Sequence, residues 1–201
     1  MNIMKKYRNF KTRIWLKQQI RQNQTDLRIV VGSGGIFEAG WIPTDINTLN
    51  LLQRQDWEAL FQPNSIQAIL AEHVWEHLTL NDGLLAMRYC FQFLSVGGYL
   101  RIAVPDGFHP DLDYIEYVKV NGSGPGADDH KVLYNYRTLS DLLEKAMFKV
   151  ERLEYFDENG NFHAADWAPE TGKINRSLRF DKRNADGRPH YTSLIVDGIK
   201  A

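Results

Sequence analysis

The stretch "SIQAILAEHVWEHL", residues 65–78, passes from an apolar run into a cluster of glutamate and histidine side chains. Residues 65–71 have the length and apolar composition of a buried strand, and the apolar side chains that follow predict a helix over 74–95. A strand that turns directly into a helix is typical of an α/β sheet. Glu72 and His73 therefore fall at the carboxyl end of a predicted strand.

The same alternation of strands and helices continues on both sides of this stretch. Further strands are predicted at 27–31, 40–46, 99–104, 149–156 and 191–199, and a further helix at 139–147. Strands that alternate with helices predict a mostly parallel sheet with helices on both faces.

Length and composition indicate one soluble globular domain. The 201 residues suit a single domain spanning 1–201, and the apolar and charged fractions of 43% and 24% are ordinary for a soluble protein. The lone Cys90 excludes an intramolecular disulfide framework and a cysteine-based zinc cluster, and it indicates a reducing compartment. No apolar run is long enough to span a membrane, and no secretory signal is evident. We expect a cytoplasmic protein.

The positive charge is concentrated at the N-terminus. Residues 1–24 hold seven basic side chains and no acidic one, and Ile3, Tyr7, Phe10 and Ile14 recur at helical spacing. This pattern predicts a basic amphipathic helix. Such a helix could make peripheral contact with an anionic membrane, but the favoured interpretation is that it covers the sheet or a cleft. The charge elsewhere gives no indication of nucleic-acid binding.

Glycine and acidic residues follow the first two predicted strands. Gly32, Ser33 and Gly34 end the first strand, and Asp45, with Ile46 after it, ends the second. Because α/β sheets bind ligands at the carboxyl ends of their strands, a bare glycine backbone there can approach a ligand closely. A carboxylate beside it can accept both hydroxyl groups of a ribose. Glycine and aspartate are also common turn residues, so their order along the chain is what favours a binding site.

An acidic and an aromatic residue come next in this series. Asp56 and Trp57 precede the strand at 65–71. A carboxylate can take the amino hydrogens of an adenine while an aromatic ring packs on the base. We therefore predict that both residues belong to the same binding cleft.

Taken together, these motifs resemble one enzyme family. They are "IVVGSGG" (29–35), "DI" (45–46), "DWEALFQPNSIQAIL" (56–70), "EHVWEHL" (72–78), "VGGYLRIAVPD" (96–106) and "TLSDLLEKAMFKVERLE" (138–154). Over roughly residues 27–155 the chain resembles the class I S-adenosylmethionine-dependent methyltransferases, and among them the type 11 group. Val30 stands where that family has an acidic residue, and Ile36 where it has a third glycine.

The resemblance implies a fold and an activity. It implies a Rossmann-like α/β fold with a mostly parallel seven-stranded sheet, residues 191–199 forming an antiparallel last strand. It also implies S-adenosylmethionine as cofactor and methyl transfer to a small-molecule or glycan-type acceptor. In such a protein Glu72 and His73 would contact the methionine part of the cofactor or the acceptor.

Methyl transfer to oxygen or nitrogen calls for a general base, most often histidine. The candidates are His73, His109 and His130, with His163 less favoured. His109 and His130 lie in the long polar segment 106–137, which we predict to be a lid or acceptor-binding loop with one short helix. The alternative is a surface loop with solvated histidines.

The stretch "HVWEH" also matches the inverted zinc-protease motif H-x-x-E-H, formed by His73, Glu76 and His77. A zinc-dependent hydrolase is therefore an alternative function, and a methyltransferase-like protein that only binds is another. The methyltransferase resemblance explains the residues on both sides of the motif, so we assign no site residue to a metal. His77 is then expected to have a structural role.

The C-terminal segment 157–201 is an elaboration that ends in the last strand. It contains a basic group formed by Arg176, Arg179, Lys182 and Arg183. These side chains could bind an anionic acceptor. The favoured alternative is that they pair with Asp181, Asp186 and other acidic residues to order a hairpin.

Overall fold

Seven strands form one sheet in the computed structural model, which describes residues 3–201, with side chains from residue 12 onward. They are β1 (Arg28–Val31), β2 (Ile42–Pro43), β3 (Ile66–Glu72), β4 (Leu94–Pro105), β5 (Lys149–Phe156), β6 (Phe162–Ala164) and β7 (Ser193–Ile199). Their order is β2-β1-β3-β4-β7-β5-β6. Only β6 and β7 run against the other five strands. The predicted mostly parallel sheet with an antiparallel last strand is confirmed.

Five α-helices accompany the sheet in the described part of the chain. They are α1 (Ile3–Gln22), α2 (Arg54–Leu60), α3 (Leu80–Phe93), α4 (Leu112–Val118) and α5 (Tyr136–Lys145). Side chains of α1, α2, α3 and α5 pack on one face of the sheet in the main apolar core. The opposite face is covered by loop residues, including Trp41, Trp167 and Ile174, rather than by a helix as expected. Those large side chains bury the second face without regular structure.

Capping residues explain why two helices differ from their predicted bounds. The helix expected over 74–95 begins only at Leu80, because the Thr79 side chain accepts the Asp82 N–H as N-cap. Residues 75–77 form a separate 3₁₀ turn. The helix expected over 139–147 begins earlier, because Asn135 and Thr138 form a capping box.

The N-terminal helix covers part of the main core. Leu16 and Ile20 are buried there, whereas Ile14, predicted for the apolar face, is 53% exposed. The side chains of Ile3, Tyr7 and Phe10 lie outside the described residues, so that part of the predicted face is not tested. Within the described chain, no helix is long and apolar enough to cross a membrane.

The long segment after β4 packs against the rest of the molecule. It contains the predicted short helix, α4, and Tyr114, Val118, Ala127 and Tyr134 are all buried. The C-terminal segment adds strand β6, which the sequence pattern did not predict, as a hairpin with β5. Segments 106–137 and 157–201 lie at the carboxyl ends of the strands and contribute walls to the clefts described below.

Candidate functional site

A cavity of about 340 Å³ opens at the carboxyl ends of β1 and β3. We call it the strand-end cavity. Its lining comes from the loop after β1, from the end of β3 and from the C-terminal segment, and it includes Gly32, Glu38, Trp41, Glu72, His73, Lys173 and Arg176. This is the edge at which sheets of this type bind ligands.

The glycine loop borders the cavity and depends on glycine for its shape. Gly32 and Gly34 have φ of 60° and 54°, in the left-handed region. A Cβ atom at Gly32 would lie 2.6 Å from Cγ2 of Val74. Residues 32–41 form a loop rather than a helix. The backbone therefore lies closer to the turn after β3 than a side chain would allow.

Asp45 stabilises this loop. Its two carboxylate oxygens accept hydrogen bonds of 3.1 Å from the Ser33 hydroxyl and from the Gly34 N–H. Asp45 lies beside the strand-end cavity but does not line it, and Ile46 is 73% exposed. The predicted contact of Asp45 with a ribose stays a prediction, and its observed role is to hold Ser33 and Gly34 in place.

The prediction that Asp56 and Trp57 bind an adenine is wrong. Trp57 is fully buried in the main core, where its ring stacks on Phe93 at a centroid distance of 5.4 Å. The Asp56 carboxylate pairs with Arg13 at 2.6 Å and accepts the Asn50 N–H at 3.0 Å. Helix α2 turns its aromatic side chain towards the core because that contact removes a large apolar surface from water.

Glu72 joins β3 to the C-terminal segment at the cavity wall. Its carboxylate accepts the backbone N–H of Asn175 at 3.1 Å and that of Arg176 at 2.8 Å. The Asn175 side-chain amide donates a further bond of 3.1 Å. Three donors therefore fix this carboxylate at the edge of the cavity.

His73 has an unusual backbone conformation at this edge. Its φ of 55° is uncommon for a residue other than glycine, and such strain often occurs at functional sites. Its Nε2 lies 3.0 Å from the Ser193 hydroxyl, and its Nδ1 lies 2.8 Å from Oε1 of Glu76. The contact with Ser193 thus orients the ring, and the Glu76 carboxylate lies close to its other nitrogen.

A second, smaller cleft of about 110 Å³ lies on the other side of His73. The segment 106–137 contributes Tyr117 and His130, and the C-terminal segment contributes Arg176 and Tyr191. His73 and Arg176 line both the strand-end cavity and the second cleft. The two spaces therefore meet at these two side chains.

His109 was predicted as a catalytic base, and the structure contradicts this. The ring is buried and stacks on Tyr114 at a centroid distance of 4.0 Å. Nδ1 accepts the Asp111 N–H at 3.1 Å, and Nε2 lies 3.3 Å from the Pro189 carbonyl oxygen. Burial lowers the pKa of His109. Because His109 lines neither cleft, its observed role is to stabilise the loop.

His163 also lies away from both clefts. It is on the exposed β5–β6 hairpin, with Nε2 2.9 Å from an oxygen of Asp157. Its ring stacks on Tyr155 at a centroid distance of 4.8 Å. Of the four predicted histidines, only His73 and His130 reach a cleft.

The basic group of the C-terminal segment divides into two kinds of residue. Arg183 pairs with Asp181 at 2.6 Å, as the hairpin interpretation predicted, and Arg179 pairs with Asp166 at 3.1 Å. Arg176 makes no side-chain hydrogen bond or ion pair with another described residue. Its guanidinium is therefore available at the junction of the two clefts.

Three lining residues were missed by the sequence reasoning. Glu38 and Lys173, 135 positions apart, form an ion pair of 3.0 Å at the cavity, and Trp41 contributes an aromatic wall. All three lie in irregular segments, where no periodicity reveals which side chains will meet. Only the pairing of the two segments brings them together.

No family model matches the chain, and no curated protein sequence matches it. Among solved structures, it is similar to an S-adenosylmethionine-dependent methyltransferase from Thermotoga maritima, described as a possible histamine N-methyltransferase. The identity is 13%, the match covers 99% of this chain and 96% of the other, and the TM-score is 0.51. The chain is also similar to the S-adenosylmethionine-dependent methyltransferase SibL, with 12% sequence identity and a TM-score of 0.50. That match covers 96% of this chain and 55% of SibL. At such low identity these similarities establish the fold alone, and that fold is the class I methyltransferase fold.

Proposed function

We propose that the protein is an S-adenosylmethionine-dependent methyltransferase that acts on a small-molecule or glycan-type acceptor. The observation that carries this proposal is the meeting of two spaces at His73 and Arg176, beside the glycine loop. A cofactor in the strand-end cavity and an acceptor in the second cleft would face each other at that point. The similarity in fold to known methyltransferases supports the same assignment.

The strand-end cavity suits the chemistry of the cofactor. S-adenosylmethionine carries an amino group, a carboxylate and a purine. The cavity offers Glu38 and Glu72 as acceptors, Lys173 as a cation and the Trp41 ring as an apolar wall. Bound there, the cofactor would supply an activated methyl group on sulfur. The protein then has to align the acceptor with that methyl group and exclude water.

His73 is the candidate general base. It lies at the junction, its ring is oriented by Ser193, and a histidine can take a proton from an acceptor oxygen or nitrogen. His130 lines only the second cleft, where its proposed role is to shape the acceptor site. Arg176, which lines both clefts and makes no side-chain hydrogen bond within the described chain, favours an acceptor with a carboxylate or phosphate group.

Cofactor binding can be tested by calorimetric titration of the purified protein with S-adenosylhomocysteine. We expect one equivalent to bind, and we expect Lys173→Met to weaken it about tenfold, as the loss of one charge-assisted contact would. The matched control is Lys149→Met, because that side chain is exposed on β5. Absence of binding at high micromolar ligand would overturn the proposal.

A second measurement separates an enzyme from a binding protein. Labelled S-adenosylmethionine is incubated with the protein and fractionated small-molecule and glycan extracts. We expect transfer of label that His73→Gln reduces by about 100-fold, within the range typical of a general base. Binding of S-adenosylhomocysteine without transfer to any fraction would instead favour a methyltransferase-like binding protein.

A further inference from the structure

We propose that Glu76, His77 and His130 form a binding site for a divalent transition metal, with zinc as the best match. One candidate ligand atom from each of these residues lies within 4.8 Å of the other two. The set differs from the H-x-x-E-H prediction, because His130 takes the place of His73 and Glu76 is a ligand rather than a base. The proposal does not depend on methyl transfer.

The Glu76 carboxylate is the strongest sign of a missing ligand. The residue is only 1% exposed, and neither oxygen has a hydrogen-bond partner among the described residues. Nδ1 of His73 lies 2.8 Å from Oε1, but the two atoms lack the alignment of a hydrogen bond. A buried carboxylate whose oxygens accept no hydrogen bond has lost its contacts with water and gained none in return, which is costly. A bound cation would remove that cost.

Each of the two histidines offers one ring nitrogen to a metal. Nδ1 of His77 is buried without a hydrogen-bond partner in the described chain, and the nearest carboxylate oxygen, on Asp129, is 3.5 Å away. Nδ1 of His130 lies 2.7 Å from the Val118 carbonyl oxygen, to which it can only donate. That bond leaves the lone pair on Nε2. Metal-binding histidines commonly donate their other ring nitrogen in this way.

Backbone hydrogen bonds fix the ligands relative to one another. The carbonyl oxygen of Glu76 accepts the N–H groups of Lys131 at 2.7 Å and Val132 at 3.3 Å. The 3₁₀ turn that carries Glu76 and His77 is therefore attached directly to the residues that follow His130. Such preorganisation lowers the entropy cost of bringing three ligands to one ion.

The ligand types select the class of metal. Two imidazole nitrogens and one carboxylate favour zinc, cobalt or iron(II) over magnesium or calcium, which prefer oxygen ligands. Three protein ligands leave one position for water or for Asp129 in a tetrahedral site. Because His130 also lines the second cleft, the metal would hold one wall of that cleft against the turn after β3.

The test uses the full chain, without a histidine tag, freed of metal with a chelator. Calorimetric titration with zinc chloride is expected to show one equivalent, and magnesium chloride none. Titration with cobalt(II) should give the visible absorption bands of a four-coordinate site. Zinc should also raise the melting temperature of the wild-type protein, because it binds only the folded state.

Replacing any one of the three ligands should weaken zinc binding by at least about 100-fold, because losing a direct ligand costs at least as much as losing a residue that only supports one. The single variants are Glu76→Gln, His77→Gln and His130→Gln. The matched control is His163→Gln, which removes an exposed histidine remote from the site and should leave the affinity unchanged. Without metal, Glu76→Gln should be at least as stable as the wild type, since it replaces a buried carboxylate whose oxygens have no hydrogen-bond partner among the described residues.

Two results would overturn the proposal. One is the absence of stoichiometric zinc binding by the metal-free wild type; the other is binding that survives in Glu76→Gln and His130→Gln. If a variant fails to fold, X-ray absorption of the zinc-loaded wild type decides instead. Fewer than two imidazole ligands in that spectrum would contradict the site.

Discussion

Asp197 and Glu76 are both buried carboxylates, but their surroundings are opposite. Asp197 lies on β7 and accepts hydrogen bonds of 2.8 and 2.7 Å from Nε and Nη2 of Arg101 on β4. Glu76 lies in the turn after β3 and has no hydrogen bond to either oxygen within the described chain. A buried charge that is fully paired holds structure, whereas one without partners indicates where a ligand belongs.

The ion pair between Arg101 and Asp197 explains how the C-terminal segment is attached to the sheet. Arg101 is only 2% exposed, and its remaining Nη1 donates to the Gly172 carbonyl oxygen at 2.8 Å. Its guanidinium also lies 5.1 Å from the centroid of the Trp167 ring. One arginine therefore connects two strands and the segment that forms a wall of the strand-end cavity.

The largest expected effect comes from removing the partner of Asp197. Arg101→Met should lower the free energy of unfolding by about 3–5 kcal/mol, because it leaves Asp197 buried without its two arginine donors. Urea denaturation followed by circular dichroism measures this change. The double variant Arg101→Met, Asp197→Leu should recover most of the loss. A single variant that loses less than about 1 kcal/mol would contradict the distinction between the two carboxylates.

Asp106 is an intermediate case, since within the described chain its carboxylate accepts hydrogen bonds only from the N–H groups of Phe108 and Phe156. Burial raises its pKa from 3.8 to about 6. Because the folded protein then binds this proton more tightly than the unfolded chain, the stability that Asp106 contributes is fully present below pH 3.8. It is lost as the pH rises to about 6.

The variant Asp106→Asn cannot titrate and isolates this effect. The free energy of unfolding of the wild type minus that of the variant should fall by about 3 kcal/mol from pH 3.8 to pH 7. Chemical denaturation at a series of pH values measures it. A difference that stays constant, or that grows with pH, would show that the Asp106 carboxylate is not held in its neutral form.

The smallest expected change in stability comes from two buried tyrosine hydroxyl groups, one with hydrogen-bond partners and one without any in the described chain. The Tyr114 hydroxyl accepts the Asp106 N–H and donates to the Thr192 carbonyl oxygen, each at 3.2 Å. The buried Tyr134 hydroxyl has no partner in the described chain. Tyr114→Phe should therefore cost about 1–2 kcal/mol, and Tyr134→Phe should be nearly neutral. Equal losses in urea denaturation of the two variants would be inconsistent with the difference in hydrogen bonding.

Local sequence patterns predicted most of the strands of the sheet, but they were less accurate about where some strands begin and end. The strands at 27–31, 65–71 and 149–156 are found within a residue or two, because each is a compact apolar or alternating run. The strand expected over 99–104 begins already at Leu94, since the glycines after Leu94 extend it instead of forming a loop. Strand β6 escaped prediction because three residues carry too little pattern.

The site residues were harder to predict than the strands. Glu72 and His73 line the cavity, because the end of an apolar strand marks the edge of the sheet, and their contact with cofactor or acceptor stays a prediction. Asp56, Trp57 and His109 have equally suitable chemistry, but they face the core or a loop. Residue type alone does not reveal the direction in which a side chain points.

The sequence by itself determined the alternation of strands and helices, the glycine loop and the polar residues that end β3, since each depends on neighbours along the chain. The tertiary structure alone decided which carboxylates and histidines have partners. Glu72 meets Asn175 across 103 positions, and Arg101 meets Asp197 across 96. Such contacts depend on how distant segments pack, and the same packing brought Glu76, His77 and His130 together.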